Sequence, residues 1–148
     1  MEDKSSVPQR SVKWLEDLSK GTISHDLELI TLDNIRTVEA RQGYIRCNFI
    51  VPIHLADKDG NWQVGAMATL VDAVGAATVY SFGGRVKATA DFNISFYSTA
   101  KIQEEVEIEA KVVGDRGKLT SVQIVVRRRD NGEAIAFGKQ WMAQVSML

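Results

Sequence analysis

The sequence has little sulfur and little imidazole: Cys47 is its only cysteine, and His25 and His54 are its only histidines. A single cysteine excludes an intrachain disulfide framework, and one cysteine with two histidines makes no Cys/His zinc site within one chain. A reducing compartment and no structural metal are therefore expected. An excess of charge is also missing, since 18 Lys and Arg stand against 19 Asp and Glu, a formal net charge of -1. Proteins held to nucleic acid by phosphate contacts normally carry a basic excess or stripe, so nucleic acid is not an expected partner. The opening stretch, MEDKSSVPQRSVKWLEDLSK, is charged throughout and lacks the apolar core of a secretory signal, so no export is expected. There is no repeat, no low-complexity tract and no long linker, and 148 residues that are 45% hydrophobic predict one domain.

What the chain does contain is one long apolar segment. Residues 64–84 read VGAMATLVDAVGAATVYSFGG, with a single charged residue, Asp72, near the middle. The length approaches the roughly 20 residues of a membrane span, but Ala, Gly and Thr dominate, and a central Asp costs about 3 kcal/mol on insertion. No membrane span is expected. The segment reads instead as a helix buried on most sides, where a lone carboxylate needs a partner or a function. The bland version is an Asp satisfied by a Ser or Thr hydroxyl to fix packing. On a 3.6-residue helix Gly65, Thr69, Asp72, Ala76 and Val79 share one face, and their small side chains suit a slender substrate or another backbone.

The helix start offers a second element. Gln63, Val64 and Gly65 present free backbone N–H groups at the positive end of the helix dipole, a place for an oxyanion or a polarised carbonyl. Asp72 lies eight residues beyond Val64, roughly 12 Å along the axis at 1.5 Å per residue, too far for both to act on one carbonyl within one chain. If both act, they come from different subunits of a homodimer whose helices run in opposite senses.

Around this helix the chain reads as short strands. SVKWLEDLSKG, residues 11–21, predicts an amphipathic helix with Ser11 as N-cap and Gly21 at its end. LDNIRTVEA and GYIRCNFIVPI predict a hairpin around Gln42-Gly43, the second alternating Ile45, Cys47, Phe49 and Val51 against Tyr44, Arg46 and Asn48. KATADFNISFY alternates Ala90, Phe92, Ile94 and Phe96 against Thr89, Asp91, Asn93 and Ser95. EEVEIEAKVV, LTSVQIVVRRR and EAIAFGKQWMAQV complete six strands, with turns at residues 114–117 and 130–132. Arg127-Arg128-Arg129 reads as a solvated strand edge. Gly114-Asp115-Arg116-Gly117-Lys118 lacks the spacing of a phosphate loop and joins two strands, so it reads as a hairpin turn. The predicted fold class is α+β: a curved antiparallel sheet of about six strands wrapped around one central helix, with a short N-terminal helix in an extension spanning residues 1–31.

Ala68-Thr69-Leu70-Val71-Asp72, Asp91-Phe92-Asn93-Ile94 and Ser98-Thr99-Ala100-Lys101, in this order of elements, resemble the hot-dog-fold acyl-CoA thioesterases. The likeness is to the small single-domain type related to thioesterase superfamily member 2 and to phenylacetate-pathway thioesterases, and it runs from about residue 32 to 143. It implies that Asp72 activates water or attacks the thioester, that Thr89 helps position the water, and that N–H groups of Val64 and Gly65 polarise the carbonyl. It also implies a homodimer, usually within a dimer of dimers, and no cofactor, coenzyme A being part of the substrate. The family usually opens its helix with His-Gly-Gly, where this chain has Gln63-Val64-Gly65, and Asp57 stands most nearly where the family's loop Asn is expected. Gln63 is then expected to hydrogen-bond the substrate, and His54 is a candidate for part of the lost chemistry. For coenzyme A the resemblance points to Phe96, Tyr97, Ser98 and Lys101, and to Arg116, Gly117 and Lys118, whose cations suit phosphates. The rival reading is a non-catalytic acyl-CoA-binding or assembly protein of the same fold. Ser146-Met147-Leu148 resembles a degenerate peroxisomal address, so the peroxisome, or otherwise the cytoplasm, is the expected location.

Overall fold

The computed structural model describes residues 6–21 and 26–144. The apolar segment forms a single helix, α3 (Val64–Gly83), closed by Gly84 at φ 79°, whose N–H donates to the Tyr80 carbonyl at 2.8 Å. A left-handed residue is needed there, and glycine adopts it without a Cβ penalty. By length and composition α3 could cross a membrane, but 67% of its most apolar window is buried inside the protein, as befits a core helix.

The helix is wrapped by one six-stranded antiparallel sheet: β1 (Arg36–Arg41), β2 (Tyr44–Ile50), β3 (Ala88–Phe96), β4 (Glu105–Asp115), β5 (Leu119–Arg128) and β6 (Ala134–Ala143). Their order across the sheet is β1-β2-β4-β5-β6-β3. Period-2 patterning explains which face is inward. Ile45, Cys47 and Phe49 of β2, Val106, Ile108 and Ala110 of β4, and Val122, Ile124 and Val126 of β5 are buried and form one core with Leu70, Val74 and Ala77 of α3. This is the hot-dog arrangement that the resemblance implies. Burial pushes the Cys47 thiol up to about 12, so it stays protonated at neutral pH and serves as a core side chain.

Four local expectations change. The N-terminal helix, α1, runs Val7–Lys20, starting before Ser11 because Pro8 fits the first turn; Ser11 is buried and donates to the Pro8 carbonyl at 2.7 Å. Gly21 does close it, in the left-handed conformation. A further helix, α2 (Asp26–Leu32), was not expected, since seven residues carry too short a periodic pattern to register. In β3 only Phe92 and Ile94 pack on the core, whereas Ala90 and Phe96 are exposed. The cause is position: β3 is an edge strand, and an irregularity between Thr89 and Asp91 breaks the alternation. Lastly, Arg127–Arg129 is only in part a solvated edge: the side chains of Arg127 and Arg129 are 36% and 43% exposed, and that of Arg128 only 16%. Arg127 pairs with Glu109 at 3.3 Å and Arg129 with Glu105 at 3.7 Å, while Arg128 turns into a network of its own. His25 and Ser146-Met147-Leu148 lie outside the described residues.

Candidate active site

Asp72 sits half-buried on α3, one face of which looks onto a cavity of about 260 Å³. Its Oδ1 accepts a hydrogen bond from Thr89 Oγ1 at 2.7 Å. The β3–β6 register shifts between Thr89 and Asp91, beside this contact, and an irregularity of that kind re-aims a side chain. A third residue joins them. Gln140 of β6 donates through Nε2 to Asp72 Oδ1, and the same nitrogen lies 3.2 Å from Thr89 Oγ1 and 3.4 Å from the Asp72 carbonyl oxygen. Sequence reasoning missed Gln140. The available signal is that Gln140 is the one polar residue among the inward positions Ala136, Gly138, Gln140 and Met142 of β6.

The cavity beside Asp72 has an apolar wall from Trp14 and Leu18 of α1, with Val86 and Met142. Trp14 is anchored by stacking on Tyr80 of α3, ring centroids 6.3 Å apart. Two further charged groups line the same space, Glu28 of α2 and Lys87. The Lys87 ammonium donates to the Gly117 carbonyl at 3.0 Å and to Thr120 Oγ1 at 2.8 Å, which ties the cavity to the β4–β5 turn. Arg116, Gly117 and Lys118 form that turn and are exposed, and Gly117 is held at φ 75°.

The helix start lies elsewhere. Val64 is 51% exposed, and a Cβ built on Gly65 would meet nothing within 4 Å. Gln63 caps the helix with an extended backbone, and its side-chain amide donates to the Ala56 carbonyl at 3.2 Å, an anchoring contact. Asp57 Oδ1 accepts from the N–H groups of Asp59 and Asn61 at 2.9 and 3.0 Å and so fixes the loop that leads into α3. His54 is exposed, with Nε2 3.3 Å from the Ile30 carbonyl oxygen, a link between this loop and α2. The segment after β3 packs here too, through Trp62 N–H to the Ala100 carbonyl at 2.7 Å and a bridge between Asn61 and Lys101. Phe96 at the end of β3 and Tyr97 and Lys101 beyond it are exposed, and Ser98 Oγ accepts from Arg128 at 2.9 Å.

The predicted residues thus fall into two groups. Asp72, Thr89 and the Arg116–Lys118 turn stand at one end of the molecule, joined by Lys87. Gln63, Val64, Gly65, Asp57 and the Phe96–Lys101 segment stand at the other. β4 separates Lys101 from Arg116 and Lys118 by roughly 30 Å at 3.3 Å per residue, so these cations of one chain cannot meet the same phosphate. Among the described residues, no group of three or more His, Cys, Asp or Glu side chains could hold a metal ion.

Several known proteins are similar to this chain. Mouse acyl-coenzyme A thioesterase 13 is 28% identical over 109 residues, 73% of this chain and 78% of that one. The crystal structure of zebra fish thioesterase superfamily member 2 superposes with a TM-score of 0.81 at 22% identity, covering 89% of this chain and 96% of the other. A hypothetical thioesterase from Streptococcus pneumoniae, solved with coenzyme A, gives a TM-score of 0.73 at 17% identity over 78% of this chain and 88% of its own. The thioesterase superfamily model matches residues 60–135, from the loop before α3 into β6. That span is just over half of the sequence and takes in Asp72 and Thr89, so the chain belongs to the thioesterase superfamily and is a thioester hydrolase.

Proposed function

We propose that this chain hydrolyses acyl-CoA thioesters to a free acid and coenzyme A, with Asp72 as general base. The observation that carries the reading is the Asp72 carboxylate itself, fastened by Thr89 beside an apolar-walled cavity. Asp72 takes a proton from water, and the hydroxide attacks the thioester carbonyl carbon. The oxyanion is held by the N–H groups of Val64 and Gly65 at the partner subunit's helix start. The tetrahedral intermediate collapses with cleavage of the C–S bond, and the departing thiolate recovers the proton from Asp72, leaving the acid and the thiol.

The two-ended distribution of residues supports the divided site. Two chains with antiparallel α3 helices set the Asp72 end of one against the helix start of the other, and likewise bring the Arg116–Lys118 turn of one near the Ser98–Lys101 segment of its partner. Cations that are far apart in one chain then flank one coenzyme A. The expected assembly is a dimer or a dimer of dimers. Sedimentation equilibrium checks this at once: a species of about 33 kDa or its multiple is expected, given 16.4 kDa per chain, and a monomer active at assay concentration would contradict the shared site.

The acyl group belongs in the Asp72 cavity. At about 30 Å³ per water-sized group, about 260 Å³ holds roughly eight such groups, suited to an aromatic or medium-chain acyl. Trp14 closes part of the wall. Trp14→Ala should move the kcat/KM optimum to chains longer by about two to four carbons, each methylene being worth about 0.8 kcal/mol when buried. An unchanged chain-length profile would place the acyl group elsewhere.

A further inference from the structure

We infer that Gln140 is the positioning residue of the site: it fixes Asp72 by occupying one carboxylate oxygen, which leaves Oδ2 as the oxygen that reacts. Gln140 Nε2 and Thr89 Oγ1 both donate to Oδ1, and Oδ2 has no hydrogen bond among the described residues. A carboxylate held twice through one oxygen cannot swing about its Cβ–Cγ bond, and its remaining lone pairs are on the other oxygen.

Two local costs argue that this contact serves reaction and not stability alone. The first is Gln140 itself. It is 1% exposed, and its carbonyl Oε1 is buried with no hydrogen-bond partner, an arrangement that costs stability where an apolar side chain would cost none. The second is Gly75, in the middle of α3, where glycine is less favourable than every residue but proline. A Cβ on Gly75 would stand 2.0 Å from Gln140 Oε1, so glycine is the residue that leaves room for the amide. Both departures from a stable core have one explanation if the amide must reach Asp72, and such paired departures mark functional positions. Gly138, two residues before Gln140, brings β6 close to α3 in the same way: a Cβ there would lie 3.0 Å from Val71 Cγ1.

The inference rests on Asp72 being the base, and its test has a readout that does not need turnover. In protein labelled with ¹³C at Asp carboxyls, the Asp72 resonance is recorded by NMR at neutral pH in the wild type, Gln140→Leu and Gly75→Ala. Loss of the N–H donor in Gln140→Leu should displace the Asp72 carboxyl resonance, while those of the exposed Asp57, Asp59 and Asp115 stay in place. Gly75→Ala removes no donor but pushes the amide aside, and should displace the Asp72 resonance in the same direction. In kinetics, kcat should fall about 30-fold in Gln140→Leu with KM nearly unchanged. An unmoved Asp72 resonance in a folded Gln140→Leu overturns the inference, whatever its activity. If that variant does not fold, an unmoved resonance in Gly75→Ala does so. A wild type that turns over no acyl-CoA counts against the hydrolase reading and leaves the NMR test intact.

Discussion

Asp72→Asn should lower kcat by about 10³-fold on any acyl-CoA the wild type hydrolyses, with KM within a fewfold of wild type. General-base catalysis contributes typically about 10²–10⁴-fold, and an amide cannot take the proton. The substitution suits the purpose because it conserves shape: an Asn oxygen in the place of Oδ1 still accepts from Thr89 Oγ1 and Gln140 Nε2. Folding and coenzyme A affinity should therefore persist, and thermal melts and calorimetric titration with coenzyme A check both. The outcome also separates the two readings of the fold. Wild-type hydrolysis that survives Asp72→Asn would remove the carboxylate from the mechanism. Coenzyme A affinity without hydrolysis in the wild type would favour a binding protein, for which Gln63-Val64-Gly65 in place of the family's His-Gly-Gly is the relevant departure.

The parts of this molecule that were legible in the sequence are those whose signal is local. An apolar run with glycine at its end specifies α3, and strict alternation specifies β2 and β4, because burial on one face of a strand repeats every second residue. Asp72 was legible for the same reason, as one charge in an apolar segment. Thr89 was placed by resemblance, and the structure adds its hydrogen bond to Asp72. What escaped depends on partners distant in sequence. Gln140 lies 68 residues from Asp72, and its contact follows from the register of β6 over α3. The exposure of Ala90 follows from β3 standing at the sheet edge, which no property of β3 itself declares. Arg128 looked like one member of a basic run, yet its partners come from the segment between β3 and β4 and from the β5–β6 turn.

That last case carries the second large effect: Arg128→Ala should destabilise the chain by about 3 kcal/mol and lower the melting temperature by roughly 8 °C. Only 16% of the Arg128 side chain is exposed. Its guanidinium donates to Glu104, to Glu133 Oε2 at 3.1 Å, to Ser98 Oγ at 2.9 Å and to the Thr99 carbonyl oxygen. Truncation leaves Glu104, whose side chain is 22% exposed, without its cation. It also frees the Ser98–Lys101 segment, so KM for acyl-CoA should rise with the loss of stability. The effect has a pH signature. Burial alone would raise the Glu104 carboxyl, but hydrogen bonds from Arg128 and the Lys101 N–H, with the Arg128 charge, outweigh it and hold the group below its ordinary value of 4.5. A carboxyl depressed in the folded state stabilises the protein above the unfolded value and loses that contribution as pH falls through the folded one. The stability gap between wild type and Arg128→Ala should accordingly be full near neutral pH and narrow below pH 4.5. Denaturant melts across that range measure it; a gap that stays constant would mean that Arg128 acts through packing of its alkyl stem, and a gap near zero at neutral pH would mean that the network contributes nothing to folding.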